Sequence, residues 1–170
     1  QEVPVTGGLR RTANAGGILR VQVPFSNQLY MFHNPFDRFD GLPSYLPSWL
    51  LHDELPTGST TFFWDVAATG YVPESYTHSG WTPDTNQFPR SVGFWVGIRT
   101  QSFTNVYFTG EVPDSYYAPT TTIGLVSGKY NLIGFPYPMH AVWTNTALAS
   151  NAVVNEHILQ YSPLENVYKI

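Results

Sequence analysis

The chain has 170 residues, 42 % apolar and 16 % aromatic, but only 12 % charged, about half the usual share for a soluble domain. Eight Lys and Arg against twelve Asp and Glu give a net charge of −4, which excludes the basic face that nucleic acid requires, while the aromatic content excludes a disordered chain. With no Cys there is no disulfide scaffold, thiolate metal site or Cys nucleophile, and no apolar run approaches the ~20 residues of a membrane-spanning helix.

From the N-terminus, residues 1–16 read as an extended arm. Its first stretch, Gln1-Glu2-Val3-Pro4-Val5-Thr6-Gly7-Gly8, is Gly-jointed and lightly charged, and Val3 and Val5 suit it to serve as a donor strand. Gln1 ahead of this mixed segment reads as a mature terminus left by signal cleavage. Leu19-Arg20-Val21-Gln22-Val23 then alternates with period two, as a half-buried strand does, and Tyr30-Met31-Phe32 follows as an aromatic strand. Between Ser44 and Glu54 the apolar residues fall at 45, 46, 49 and 50, a helical spacing, with Pro47 tolerated only in a first turn. Further strands are predicted at Thr60-Thr61-Phe62-Phe63-Trp64, Gly93-Phe94-Trp95-Val96-Gly97-Ile98 and Val106-Tyr107-Phe108-Thr109. The same holds for Thr122-Ile123-Gly124-Leu125-Val126, Asn131-Leu132-Ile133 and His157-Ile158-Leu159-Gln160-Tyr161. Thr144-Asn145-Thr146-Ala147-Leu148-Ala149-Ser150, a Thr cap before Ala and Leu, predicts a second short helix. Fourteen Pro and fourteen Gly punctuate these runs, and the spacing predicts an all-β fold, a β-sandwich or barrel-like domain.

An internal repeat is visible. Tyr30-Met31-Phe32-His33-Asn34-Pro35-Phe36 lines up with Asn131-Leu132-Ile133-Gly134-Phe135-Pro136-Tyr137, and a short helix follows each. Phe62-Phe63-Trp64 answers to Ile158-Leu159-Gln160, and Gly70-Tyr71-Val72 to Val167-Tyr168-Lys169. Residues 17–170 therefore read as one β-domain of two related halves, repeat 1 (17–118) and a truncated repeat 2 (119–170), sharing a core. Truncation is expected to leave a strand without its neighbour, an edge that templates strand addition.

Gly17-Ile18-Leu19-Arg20-Val21-Gln22-Val23, followed by Leu29-Tyr30-Met31-Phe32-His33-Asn34-Pro35-Phe36, resembles the opening of a β-domain of exported, uncharacterised proteins of verrucomicrobial and planctomycete-like bacteria. The likeness runs on through Gly80-Trp81, Gly93-Phe94-Trp95-Val96 and Phe108-Thr109-Gly110-Glu111-Val112-Pro113 to Tyr130-Asn131-Leu132-Ile133-Gly134-Phe135-Pro136-Tyr137. The resemblance implies a β-sandwich or barrel-like domain at the cell surface, and its motifs are turns and strands that carry no catalytic residue over.

Chemistry-bearing residues are sparse. The five His, at 33, 52, 78, 140 and 157, lack metal-ligand spacing. Asp37 and Asp40 lack the order of a calcium loop, and an Asx-type turn ending at Gly41 accounts for them. Glu74, Glu111 and Asp114 lie near aromatics but in turn-like settings, and there is no nucleophile elbow or phosphate-binding loop. No enzyme activity, catalytic residue, cofactor or metal is expected. Tyr71, Tyr76, Trp81, Tyr107, Tyr116 and Tyr117 lie in or near Pro-rich turns, and such rings stack on sugars or on neighbouring subunits.

The expected function is that of a secreted, extracellular or cell-surface structural protein whose partners are copies of itself, as a filament or surface-layer subunit. Strand addition and aromatic contacts at Val3, Val5, Tyr71, Tyr76, Trp81, Tyr116 and Tyr117 would join the copies. Low charge removes the repulsion that keeps monomers apart, and the only Lys are Lys129 and Lys169. The alternative is a carbohydrate-binding module, with glycans as partners and Trp81 with its neighbouring Tyr as the platform.

Overall fold

Aromatic and β-branched runs fit a pleated, half-buried surface, and in the computed structural model they form an all-β fold, with two short helices among the described residues. The structure describes residues 2–3, 11–12, 16–23, 28–42, 44–52, 55–99, 104–113, 123–134, 146–153, 157, 159–162 and 167–169. The chain divides into two compact units, Gln1–Pro138 and Met139–Ile170.

In the first unit β1 (Glu2–Val3) pairs with β2 (Arg11–Thr12), and β3 (Gly16–Val23) and β4 (Leu29–His33) come next in the chain. After β5 (Ser44–Tyr45) and α1 (Pro47–Leu50) come β6 (Thr60–Asp65), β7 (Gly70–Thr77), β8 (Gly80–Thr82), β9 (Phe88–Pro89), β10 (Gly93–Gly97) and β11 (Thr104–Glu111). The central sheet is antiparallel throughout, in the order β4-β10-β6-β7-β8. β3 and β11 make a separate antiparallel pair, from Gly16 opposite Glu111 to Val23 opposite Thr104, and β5 pairs with β9.

One apolar cluster holds these pieces together. Phe94 and Val96 of β10, Phe32 of β4, Phe88 of β9, Val106 and Phe108 of β11, and Val23 of β3 are all buried in it. The Phe88 and Phe94 rings lie 4.4 Å apart, and Phe32 meets Phe108 at 5.5 Å, which packs the central sheet onto the β3–β11 pair in a sandwich-like arrangement. Each such ring contributes about 1.5–3 kcal/mol by leaving water, so this cluster outweighs any polar contact nearby. Gly110 marks a close approach: a Cβ there would stand 2.6 Å from the Asp37 carbonyl oxygen and from the Tyr45 hydroxyl.

The helix predicted across Ser44–Glu54 shrinks to one turn. Pro47 has no N–H and sits at the first helical position after Leu46, while His52, at φ +47°, turns the chain out of the helix. The strands expected at Thr122–Val126 and Asn131–Ile133 are irregular over 123–132, with an isolated bridge from Ile133 to Val92. The Asn131 side chain explains this, accepting from Val126 N and donating to the carbonyls of Val126 and Lys129, so a turn takes the groups a ladder would use. Of the two stretches aligned as repeat partners, Tyr30–Phe32 is therefore strand and 131–132 is not. The expected repeat boundary at 118/119 and the second copy's Phe135-Pro136-Tyr137 lie outside the described residues.

The second unit contains α2 (Ala147–Asn151), β12 (Gln160–Ser162) and β13 (Val167–Lys169), the last two antiparallel with Tyr161 opposite Tyr168. Thr146, two residues later than Thr144, caps α2, its hydroxyl accepting from Ala149 N at 3.2 Å.

Candidate functional site

Residues opposite one another in a ladder share a face, so the register of the five strands sorts every side chain to one side of the central sheet. The inner face carries Tyr30, Phe32, Phe63, Phe94, Val96, Tyr76 and Trp81, which pack on or in the core. The outer face carries Leu29, Met31 and His33 on β4, Gly93, Trp95 and Gly97 on β10, and Thr60, Phe62 and Trp64 on β6. It continues with Tyr71, Pro73, Ser75 and Thr77 on β7 and Gly80 and Thr82 on β8. None of these positions is Asp, Glu, Lys or Arg. A solvated antiparallel sheet face normally alternates polar residues outward; here Leu29, Met31, Trp95, Phe62, Trp64 and Tyr71 make the β4–β10–β6 side apolar and aromatic, while Ser75, Thr77 and Thr82 make the β7–β8 end polar.

Part of the outer face is covered by the chain itself. Trp64 Nε1 donates to the Tyr130 carbonyl at 2.7 Å, Gly93 N to the Leu132 carbonyl, and Gly134 N to the Ser91 carbonyl. The Trp64 and Tyr71 rings meet edge-on at 4.9 Å, and Trp95 Nε1 donates to the Tyr71 hydroxyl at 3.1 Å, which fixes the three rings together. Leu29 and Tyr71 remain 48 % and 45 % exposed. At the Gly97 end, Leu29, Thr60 and Phe62 border an open groove of about 380 Å³, rimmed by Gln28 and Arg99. Gly97 keeps it open, since a Cβ there would contact Leu29 and Phe62.

The residues singled out in the sequence scatter. Tyr71 lies on the outer face as an exposed ring. Tyr76 turns inward and packs against the core. Trp81 is buried, not an exposed platform: its ring tilts against Tyr76 at 5.4 Å and its Nε1 donates to the His52 carbonyl. The cause is register, because Trp81 opposite Tyr76 falls on the inner face. Val3 sits in the short ladder opposite Arg11 of its own arm, and Val5, Tyr116 and Tyr117 lie outside the described residues. Sequence reasoning missed Leu29, Trp64 and Trp95. Their signal was the apolar residue at both parities of Leu29-Tyr30-Met31-Phe32, Phe62-Phe63-Trp64 and Phe94-Trp95-Val96, which marks a strand apolar on both faces.

Of the acids considered, Glu74 is buried on the inner face and its Oε1 accepts from Thr85 N, Thr85 Oγ1 and Asn86 N at 2.8–2.9 Å. Asp84 accepts from Ser48 N at 3.0 Å and from the Ser48 hydroxyl. These carboxylates tie the 83–87 loop to β7 and α1. Asp37 bonds Arg90 at 2.9 Å; burial pushes its carboxyl up, Arg90 pulls it down and Glu111 adds to the rise. Asp114 lies outside the described residues. Among the described residues no group of three or more His, Asp or Glu is placed to hold a metal ion.

A second feature stands at the start of α1. The Arg38 guanidinium lies 4.4 Å from the Trp49 ring centroid and 5.6 Å from that of Tyr45, donates to the Ser44 carbonyl, and forms a two-pronged ion pair with Asp40. Arg38 holds the Asp40 carboxyl below the ordinary carboxylate range.

No protein-family model, curated protein or solved structure matches the chain.

Proposed function

We propose that the protein is a non-enzymatic, extracellular structural protein that associates with copies of itself through the outer face of its central sheet. The observation that carries this reading is the charge-free outer face, which runs across all five strands and leaves Leu29 and Tyr71 exposed. Strands apolar on both sides, as β10 and β6 are, are ordinarily covered on both sides, and rings held by Trp95 and Trp64 present contact area at little further cost in order. Aromatic contact between faces is favoured over strand addition at β7. Tyr76 N–H donates to Ser59 on the β6 side, so by alternation Pro73, which has no N–H, faces the open side beyond the end of β8.

Sedimentation velocity and negative-stain microscopy of the full chain test this. Concentration-dependent assembly is expected for the parent, and Tyr71→Glu with Leu29→Lys is expected to return monomers with an unchanged circular dichroism spectrum. A parent that sediments as a monomer at every concentration would refute the proposal.

A further inference from the structure

Pro47 and Leu50 of α1 are buried, which turns Trp49 outward, and its indole is 54 % exposed. An exposed indole is ordinarily free to change rotamer, but this one rests on the guanidinium of Arg38. Arg38 is itself only 8 % exposed, and is held by Asp40 and by the Ser44 carbonyl at 3.0 Å. Trp49 and Asp40 thus share one guanidinium, which sets a fixed ring beside a carboxylate whose side chain is 42 % exposed. Ser44 and Gln87, joined through their side chains, add hydroxyl and amide groups at the adjoining β5.

A rigid ring next to ionised and neutral hydrogen-bonding groups suits a ligand with an apolar face and a hydroxylated edge. We propose that Trp49 is a stacking platform for a neutral polysaccharide, whose pyranose C–H face lies on the indole while its hydroxyls donate to Asp40. Arg38 is covered by Trp49 and its charge is taken up by Asp40, so the site offers no free cation to a uronate or sulfated chain and favours a neutral one. The platform stands on α1 and on Arg38 and Asp40, and does not depend on the sheet face used for self-association.

Affinity electrophoresis in gels cast with hydroxyethylcellulose, galactomannan or alginate tests the proposal. The full chain is expected to be retarded by at least one of the two neutral polymers and not by alginate. Trp49→Ala should weaken that retardation tenfold or more, and Trp49→Phe should keep part of it. Tyr71→Glu should leave it unchanged, which separates this site from the association face. An unaltered thermal melt of Trp49→Ala shows that the loss is local. No retardation by either neutral polymer, equal retardation by alginate, or full retention in Trp49→Ala would each overturn the assignment.

Discussion

The Tyr45 hydroxyl shares its one proton between two backbone carbonyls, Asp37 at 2.9 Å and Thr109 at 3.3 Å, and so pins β5 and Asp37 to β11. Burial pushes the phenol up to about 12. In the unfolded chain the same group ionises near its ordinary value of 10, so between those two values the unfolded state loses its proton first and stability falls as pH rises. Tyr45→Phe is expected to cost about 1–3 kcal/mol at neutral pH, because two carbonyls lose their donor, and to flatten the alkaline fall. Urea denaturation at neutral pH and between pH 10 and 12 checks both effects. Residue identity alone does not disclose such a role. Trp81 and Trp49 make the same point in opposite directions: the first was expected to be exposed and is buried by its register opposite Tyr76, and the second sat in an apolar helical spacing and is exposed. The fate of Trp81 depends on its pairing with Tyr76, and that of Trp49 on a helix start two residues before it.

At the scale of elements, most strands were legible because their runs are long and rich in aromatic and β-branched residues: β3, β4, β6, β10 and β11 fall where their residues predict. The irregular 123–132 stretch was not legible, since it turns on one Asn131 side chain taking the backbone groups of its neighbours. The outer face was only half legible: two-sided apolar strands could be read, but their register could not. The 83–87 loop depends on Glu74 in a similar way. Glu74→Ala is expected to cost about 2–3 kcal/mol, by leaving two backbone N–H groups and a hydroxyl without their acceptor. Glu74→Gln keeps an acceptor at Oε1 and should cost less than half as much; the two midpoints in guanidinium chloride decide this. If Ala and Gln cost the same, the loop is held by something other than this carboxylate.

At the scale of the molecule, a single face that packs against its own copy closes on itself as a two-fold dimer. Growth into a filament or layer therefore requires a second, different contact. Ile18 and Phe39, 75 % and 65 % exposed, lie away from the outer face, with Phe39 reaching 3.8 Å from the position of a Cβ on Gly16. Because the strand positions of the outer face carry no formal charge and Arg99 stands only at its rim, association should depend weakly on salt, and a sedimentation series over rising ionic strength checks this.

Pro73 bears on what kind of material such an assembly would be. Pro73 presents no amide hydrogen, so backbone pairing of a second copy along β7 is interrupted at that point. A polymer joined through the outer face would be held by side-chain packing, would leave amyloid dyes dark, and would come apart in mild detergent and form again when it is removed.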